Sequence, residues 1–519
     1  MNNPAPAARV NLPKKNQFDL FVLVLALLLI FILAARTPLD SDMWWHLRAG
    51  QETVQSGRPM LVDNLSTTRS GTPWINHSWL SEVGMYLLYA WGGSLAIGGM
   101  TALLAVLSMA LVYFTLEGPA LLRAFLLILG SIVAAVVWAP RPELVSLVLM
   151  ALVGYLLYLY KWKHIQRLWL LPVVFVLWAN LHGGYPLGFM LIGCMVGGEI
   201  LNYLLGNRAE EVLNRQQVLR LLLWGGLSVV ALLINANGVN ILLIPFQTVG
   251  VKVLQNFVAE WASPDFHLFF QQPFIWLMLL LLAAVGYSGK RLDGTDLLTV
   301  SLFTYLTLVA RRNYGPYALA ALPVLSRHLW LAIQAWMARE PVTGWKIRLG
   351  LVKVENGEAG EEPAKTSSLP AIRPGVMRAI NLALVAFIGF AAIGKLYVTS
   401  NPILVDSYLN SSYPVKAIAW IRNNHPAGPM LNEYNWGGYL IWFLRDYQVF
   451  VDGRTDLYGD DVLGQWITAV QAGTGWQAIL DKWKIRLVLI EPNKPLAVAL
   501  PLAGWKLLYK DDQAVIFGR

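Results

Sequence analysis

The residues best equipped for chemistry open a polar stretch after the first apolar run, Leu39-Asp40-Ser41-Asp42-Met43-Trp44-Trp45-His46-Leu47-Arg48. Two carboxylates one residue apart, Asp40 and Asp42, suit a divalent metal such as Mg or Mn, or a single general base. The same pair also reads as ordinary loop acids, with Trp44 and Trp45 as interfacial anchors. Four further groups follow: Arg141 and Glu143 in Pro140-Arg141-Pro142-Glu143; His182 before Gly183-Gly184; Glu260-Trp261; and Arg311-Arg312-Asn313. Each alone also reads as a turn or a span end. Glu143 and Glu260 are second candidates for metal or acceptor contact. Arg311, Arg312 and His182 suit an anionic phosphate, because arginine offers a planar fork of donors. Near the C-terminus, Trp436 and Tyr439 stand close in sequence to Asp452, Arg454 and Asp456. Rings beside acids and an arginine suit a sugar, which stacks on aromatic faces and hydrogen-bonds at its rim. A packed aromatic core is the other reading of those rings.

The elements that position these groups are mostly apolar. Hydrophobic residues make up 56% of the 519, charged residues only 14%, and the mean hydropathy is +0.51. A soluble globular chain carries about 25% charged residues, so the chain reads as a multi-pass membrane protein. Runs of the length a bilayer needs, roughly 20 residues, fall near 18–35, 93–116, 120–138, 143–160, 168–181, 185–205, 218–235, 273–288, 296–310, 314–336 and 377–397. The first is too long for a signal-peptide core and reads as an anchor. With the N-terminus in the cytoplasm, inside loops hold 19 Lys and Arg and outside loops hold eight. The positive-inside rule therefore predicts N-in, C-out. The net charge of +9 sits in short loops between apolar runs, which argues against nucleic acid as a partner. Cys194 is the only cysteine, so no intrachain disulfide can form.

This topology puts Asp40, Asp42, Arg141, Glu143, His182, Arg311 and Arg312 on one side of the membrane. Ionisable groups near membrane depth are costly, and their convergence points to a site. Long outer loops are expected at 36–92, with amphipathic stretches near 44–54 and 79–89, and at 238–272. A charged linker at 338–376 faces the cytoplasm. Residues 1–398 form the membrane domain. Residues 399–519 form a small soluble α/β domain, with strands at 449–451, 487–490 and 514–517 and helices at 415–423 and 462–470.

The layout resembles the GT-C superfamily of membrane glycosyltransferases. Asp42-Met43-Trp44-Trp45-His46-Leu47-Arg48 is similar to the Asp-Pro-Trp-Phe-Asn-Tyr-Arg run of the oligosaccharyltransferase catalytic subunit. Residues 434–456 are similar to that family's Trp-Trp-Asp-Tyr-Gly region and the strand after it. The chain also resembles bacterial membrane proteins sharing the Asp-Trp-Trp-His-Leu and Gly-Gly-Tyr-Leu patterns. The resemblance implies about eleven transmembrane helices and a polyprenyl-phosphate-linked sugar as donor in a bacterial inner membrane. The acceptor would be a glycan, protein or lipid. It implies Asp42, or Asp40, as general base or metal ligand, and Arg311, Arg312 and His182 on the leaving phosphate. Trp436, Tyr439, Asp452, Arg454 and Asp456 would hold the acceptor. Where the oligosaccharyltransferase motif has its aspartate, this chain has Asn435-Trp436-Gly437-Gly438-Tyr439, so recognition of an asparagine sequon is not carried over. Other readings are a polysaccharide polymerase or ligase, a structural subunit, and a transporter. Against a transporter, the ionisable groups lie at span ends and no pair of broken helices repeats.

Overall fold

A computed structural model describes residues 17–251, 253, 257–339 and 374–519. Most of the expected linker (340–373), Lys252 and the basic residues Arg9, Lys14 and Lys15 lie outside the described residues.

All of the segments expected to span the membrane are helical. The helices are α1 (Gln17–Ala34), α2 (Met43–Ser56), α3 (Trp79–Tyr113), α4 (Ala120–Ala134), α5 (Glu143–Trp162), α6 (Leu170–Leu181) and α7 (Pro186–Leu204). They continue as α8 (Arg215–Ala231), α9 (Ile244–Gly250), α10 (Gln272–Tyr287), α11 (Gly294–Val309), α12 (Tyr314–Arg339) and α13 (Pro374–Thr399). Among the described residues, eight helices are long and apolar enough to cross a membrane. Three of the expected spans, α6, α8 and α11, have 12, 17 and 16 residues. At about 1.5 Å per residue, 12 residues rise only about 18 Å, against a hydrocarbon core about 30 Å thick. The amphipathic stretch at 79–89 is continuous with the span after it. Together they make α3, which kinks at Gly92 and Gly93.

The bundle is closed by small and aliphatic residues, with Phe175, Trp178, Tyr314 and Tyr317 wholly buried at its centre. Its outer surface carries Leu103, Phe125, Leu382, Phe387 and Phe390, all exposed. Such a girdle is tolerable in lipid and a liability in water. Charged groups inside the bundle are paired, as their desolvation demands. Lys161, fully buried, meets Glu199 and lies 3.2 Å from Asp293. Arg327, within α12, pairs with Asp296 at 2.5 Å and lies over the Trp162 ring.

After α13 the chain forms α14 (Pro402–Ser412), α15 (Val415–Asn424), α16 (Gly437–Phe443), α17 (Thr455–Val470), α18 (Trp476–Lys482) and α19 (Pro495–Leu502). These accompany a sheet of β1 (Met430–Asn432), β2 (Leu487–Ile490), β3 (Lys506–Lys510) and β4 (Val515–Gly518) in the order β1-β2-β4-β3. β1 and β2 are parallel and the other pairs antiparallel. The strand expected at 449–451 is not in this sheet. Its backbone is satisfied elsewhere: the Asn432 amide donates to Val451 O (2.9 Å) and accepts from Phe450 N (2.6 Å). Val449 exchanges backbone hydrogen bonds with the first long loop, through Leu65 O and Thr67 N. An apolar run that pairs with one side chain and a distant loop has the composition of a strand without its ladder.

The C-terminal region and the first long loop share a hydrophobic core. Trp44, Trp45, Met60 and Trp74 from the loop pack with Tyr413, Ile418, Trp436, Tyr439 and Leu440. The close approach needs Gly438, where a Cβ would fall 2.3 Å from Ser41 O. The division expected at 398/399 therefore cuts through one core.

Candidate active site

Of the acids and arginines expected to cluster, Asp42, Arg141, Glu143 and Arg312 line one cavity, Asp40 lies beside Arg141, and Arg311 does not line it. A cavity of about 330 Å³ is lined by Asp42, Arg141, Glu143, His182, Glu260 and Arg312, together with His46, His77, Trp261, Tyr434, Asn435 and Asp456.

Each group is placed by a local device. Asp42 is the residue before α2, and the Asp40 carboxylate holds its backbone N–H at 2.9 Å. Gly453 lies so close that a Cβ there would fall 1.8 Å from Asp42 Oδ1. Arg141 sits in the break between α4 and α5, flanked by Pro140 and Pro142, and Glu143 starts α5. Glu260 is brought in by backbone pairing, in which Arg312 N donates to Glu260 O (3.0 Å) and Arg311 N to Ala262 O (3.1 Å).

Arg141 is the hub. Its Nη1 donates to Asp42 Oδ2 at 3.1 Å, its Nε lies 3.6 Å from Asp40 and its Nη2 lies 3.7 Å from Glu143. Nη2 also donates to Glu260. Burial alone would lower the arginine pKa, but Asp40, Glu260, Glu143 and Asp42 together hold it well above the usual value. Asp42 moves the other way. Burial, followed by the charge of Asp40, pushes its pKa up to about 7 despite Arg141. A carboxyl poised near neutrality can take up a proton during a reaction and release it afterwards.

Arg312 is held more loosely. It lies 3.5 Å from Glu143 and stacks 4.4 Å from the centre of the Trp261 ring. That leaves fork donors for an incoming anion. Arg311 does not line the cavity. Replacing Arg312 with Lys removes both fork and stacking. It is expected to weaken binding of a polyprenyl-phosphate analogue by about 10-fold or more, whereas Arg311→Lys is expected to stay within about twofold. Calorimetric titration of the two purified variants checks this. A loss confined to Arg311→Lys, or unchanged affinity in both variants, would remove Arg312 from the anion site.

His46, His77 and His182 line another part of the wall. His182 Nδ1 meets Ser146 Oγ at 2.7 Å, and that hydroxyl also accepts from the Trp178 indole. His77 packs edge-on to His182, with 5.4 Å between ring centres. Burial, then the proximity of His77, keeps both His46 and His182 well below the usual imidazole range. Both are thereby held toward the neutral form, which can still donate a hydrogen bond to an anion. His46 Nδ1 is 2.9 Å from Glu82, which also accepts from Asn76.

Several residues expected at the site lie elsewhere. Trp436 and Tyr439 are 2% and 4% exposed and belong to the shared core; Tyr439 stacks on Tyr413 and meets Trp44 edge-on. Asp452 and Arg454 are buried as an ion pair with Asp63. None of these four lines the cavity around Asp42; of the C-terminal candidates, only Asp456 does. The sequence assigns no role to Arg141, His46 or His77. Arg141 stood in a motif already singled out, but its partners are far away in sequence and the hub does not show in any local pattern. The four carboxylates foreseen as metal ligands face Arg141. Among the described residues, no group of three or more His, Cys, Asp or Glu has the arrangement to hold a metal ion.

No protein-family model and no curated protein matches the sequence. Solved structures do. The chain is similar to the oligosaccharyltransferase AglB from Archaeoglobus fulgidus, solved with an inhibitory peptide and a dolichol-phosphate. The TM-score is 0.59 at 11% identity, over 92% of this chain and 70% of that one. An Archaeoglobus fulgidus oligosaccharyltransferase tethered to an acceptor peptide aligns with a TM-score of 0.54 at 12% identity, over 92% and 69% of the two chains. ArnT from Cupriavidus metallidurans, bound to undecaprenyl phosphate, aligns at 0.49 and 14% identity over 97% and 98%. At such identities the likeness is one of fold: the chain shares the fold of the two oligosaccharyltransferase structures.

Proposed function

We propose that the protein transfers a sugar from a polyprenyl-phosphate-linked donor to an acceptor at the extracytoplasmic face of a bacterial inner membrane. The observation that carries this reading is one cavity lined by both Asp42, with its pKa near 7, and Arg312, with its fork open. Asp42 takes the proton of an acceptor hydroxyl. The acceptor oxygen bonds to the anomeric carbon as the bond from that carbon to the lipid phosphate breaks. The phosphate leaves with its extra charge against Arg312, an electrostatic contribution that grows as the reaction proceeds. The dolichol-phosphate of one oligosaccharyltransferase structure and the acceptor peptide of the other support this pairing of substrates by analogy of fold.

The outward orientation rests on the 19-to-8 bias of Lys and Arg. Alkaline phosphatase fused after Tyr397 is expected to be active; a stable but inactive fusion would reverse the topology. Mass spectrometry of lipid-linked, polysaccharide and protein glycans, with and without the gene, tests the reaction. Deletion should remove one sugar from one class of glycan, restored by the wild-type gene and not by Asp42→Asn. Unchanged glycans in every class, with no turnover of polyprenyl-linked sugar in membranes, would rule the reading out.

A further inference from the structure

Arg141 stands where a metal would be expected. Asp42 and Glu260 accept from its two terminal nitrogens, Glu143 lies 3.7 Å from one of them, and Asp40 lies 3.6 Å from Nε. The side chain is only 14% exposed. It is flanked by Pro140 and Pro142, and its own N–H is tied to Ala139 O at 2.7 Å. We propose that Arg141 is the fixed cation of this site, occupying the position from which a divalent ion would bridge Asp42 and Glu260, so that no such ion binds there.

The ground is the guanidinium itself. A divalent ion sits 2.0–2.6 Å from carboxylate oxygens (roughly, for Mg and Ca), which would put it onto the guanidinium nitrogens that those oxygens already accept from. Placed to one side, it would face a positive charge about 4 Å away in a partly buried cavity. At an effective dielectric constant near 20 that repulsion weakens metal binding by at least about 100-fold. The acids therefore have a permanent counter-charge supplied by the chain, and Arg141 acts as a positioning residue that orients Asp42. The inference concerns metal and stands apart from the identity of donor and acceptor.

Titration of purified full-length protein with Mn²⁺, read by the loss of the free-ion EPR signal, tests it. Wild type is expected to leave Mn²⁺ free up to about millimolar concentration. Arg141→Ala vacates the position among four carboxylates and is expected to bind Mn²⁺ at least about 100-fold more tightly. Asp42→Asn in that background should weaken the new site. Arg141→Lys keeps the charge and should stay metal-free. Micromolar binding by the wild type, abolished by Asp42→Asn, would overturn the proposal. So would a folded Arg141→Ala protein that gains no metal site. If Arg141→Ala does not fold, the wild-type titration still decides. Because the readout is metal, these outcomes are separate from any result on sugar transfer.

Discussion

Asp42→Asn is expected to lower sugar transfer by at least about 100-fold while leaving expression and folding near normal. The substitution keeps shape and volume but cannot accept a proton. The side chain is 20% exposed toward the cavity, and the amide oxygen can still accept from Arg141. The pH dependence carries the same information. With its pKa raised to about 7, Asp42 is a base only above that pH, so the rate should climb through about pH 7 and then level off. Asp40 contributes to the upward shift, so Asp40→Asn should move that limb to lower pH while retaining activity. The sign for stability is opposite. A carboxyl whose folded pKa lies above its unfolded value stabilises the fold below about pH 4 and loses that contribution as the pH rises through about 7. Activity and stability should therefore diverge across this window. Full activity in both Asp42→Asn and Asp40→Asn would reduce the acidic motif to a plain loop.

The second large effect is on assembly. Arg454 is 1% exposed and pairs with Asp452 through two nitrogens, at 2.9 and 2.7 Å, and with Asp63 at 2.7 Å. Tyr458 donates to Asp452 at 2.6 Å, and the guanidinium lies over the Trp74 ring. Both acids are wholly buried. Arg454→Met strands two carboxylates in a dry interior, a loss of about 3–5 kcal/mol. A lower melting temperature and faster proteolysis of residues 399–519 are expected in detergent. Adding Asp452→Leu and Asp63→Leu should recover part of the loss, since apolar replacement of a whole buried network is often tolerated. If Arg454→Met melts with the wild type, the network contributes no net stability.

The bundle was legible because its physics is local. A run of apolar residues long enough for a bilayer specifies a helix whatever it packs against. Charge counting orders span ends without knowing their neighbours, and it groups Asp42, Arg141, Glu143, His182 and Arg312, which share one cavity, with Arg311, which does not line it. The aromatic readings failed for a related reason. Trp436 and Tyr439 have the composition of a sugar platform, but Gly437 and Gly438 between them allow a backbone approach that turns both rings inward. The pairing of His46 with Glu82, and of Arg454 with Asp63 almost 400 positions earlier, belongs to the tertiary fold alone. So does the selection of Arg312 over Arg311, which depends on the docking of Glu260 and Trp261.

The buried bridge from Asp63 to Arg454 also bears on how such proteins can diversify. Joining the first part of one relative to the last part of another between residues 340 and 373 looks harmless, since both halves keep their helices and sheet. Yet that crossover separates Asp63 from Arg454, Ser41 from Gly438 and Asp42 from Gly453. The unit of exchange is discontinuous: residues 399–519 must travel with roughly 40–75 of the same parent. Chimeras that respect this pairing should be recovered folded, and those that cut it should not. The shared core of this architecture is then inherited as two distant stretches of one gene, changing together or not at all.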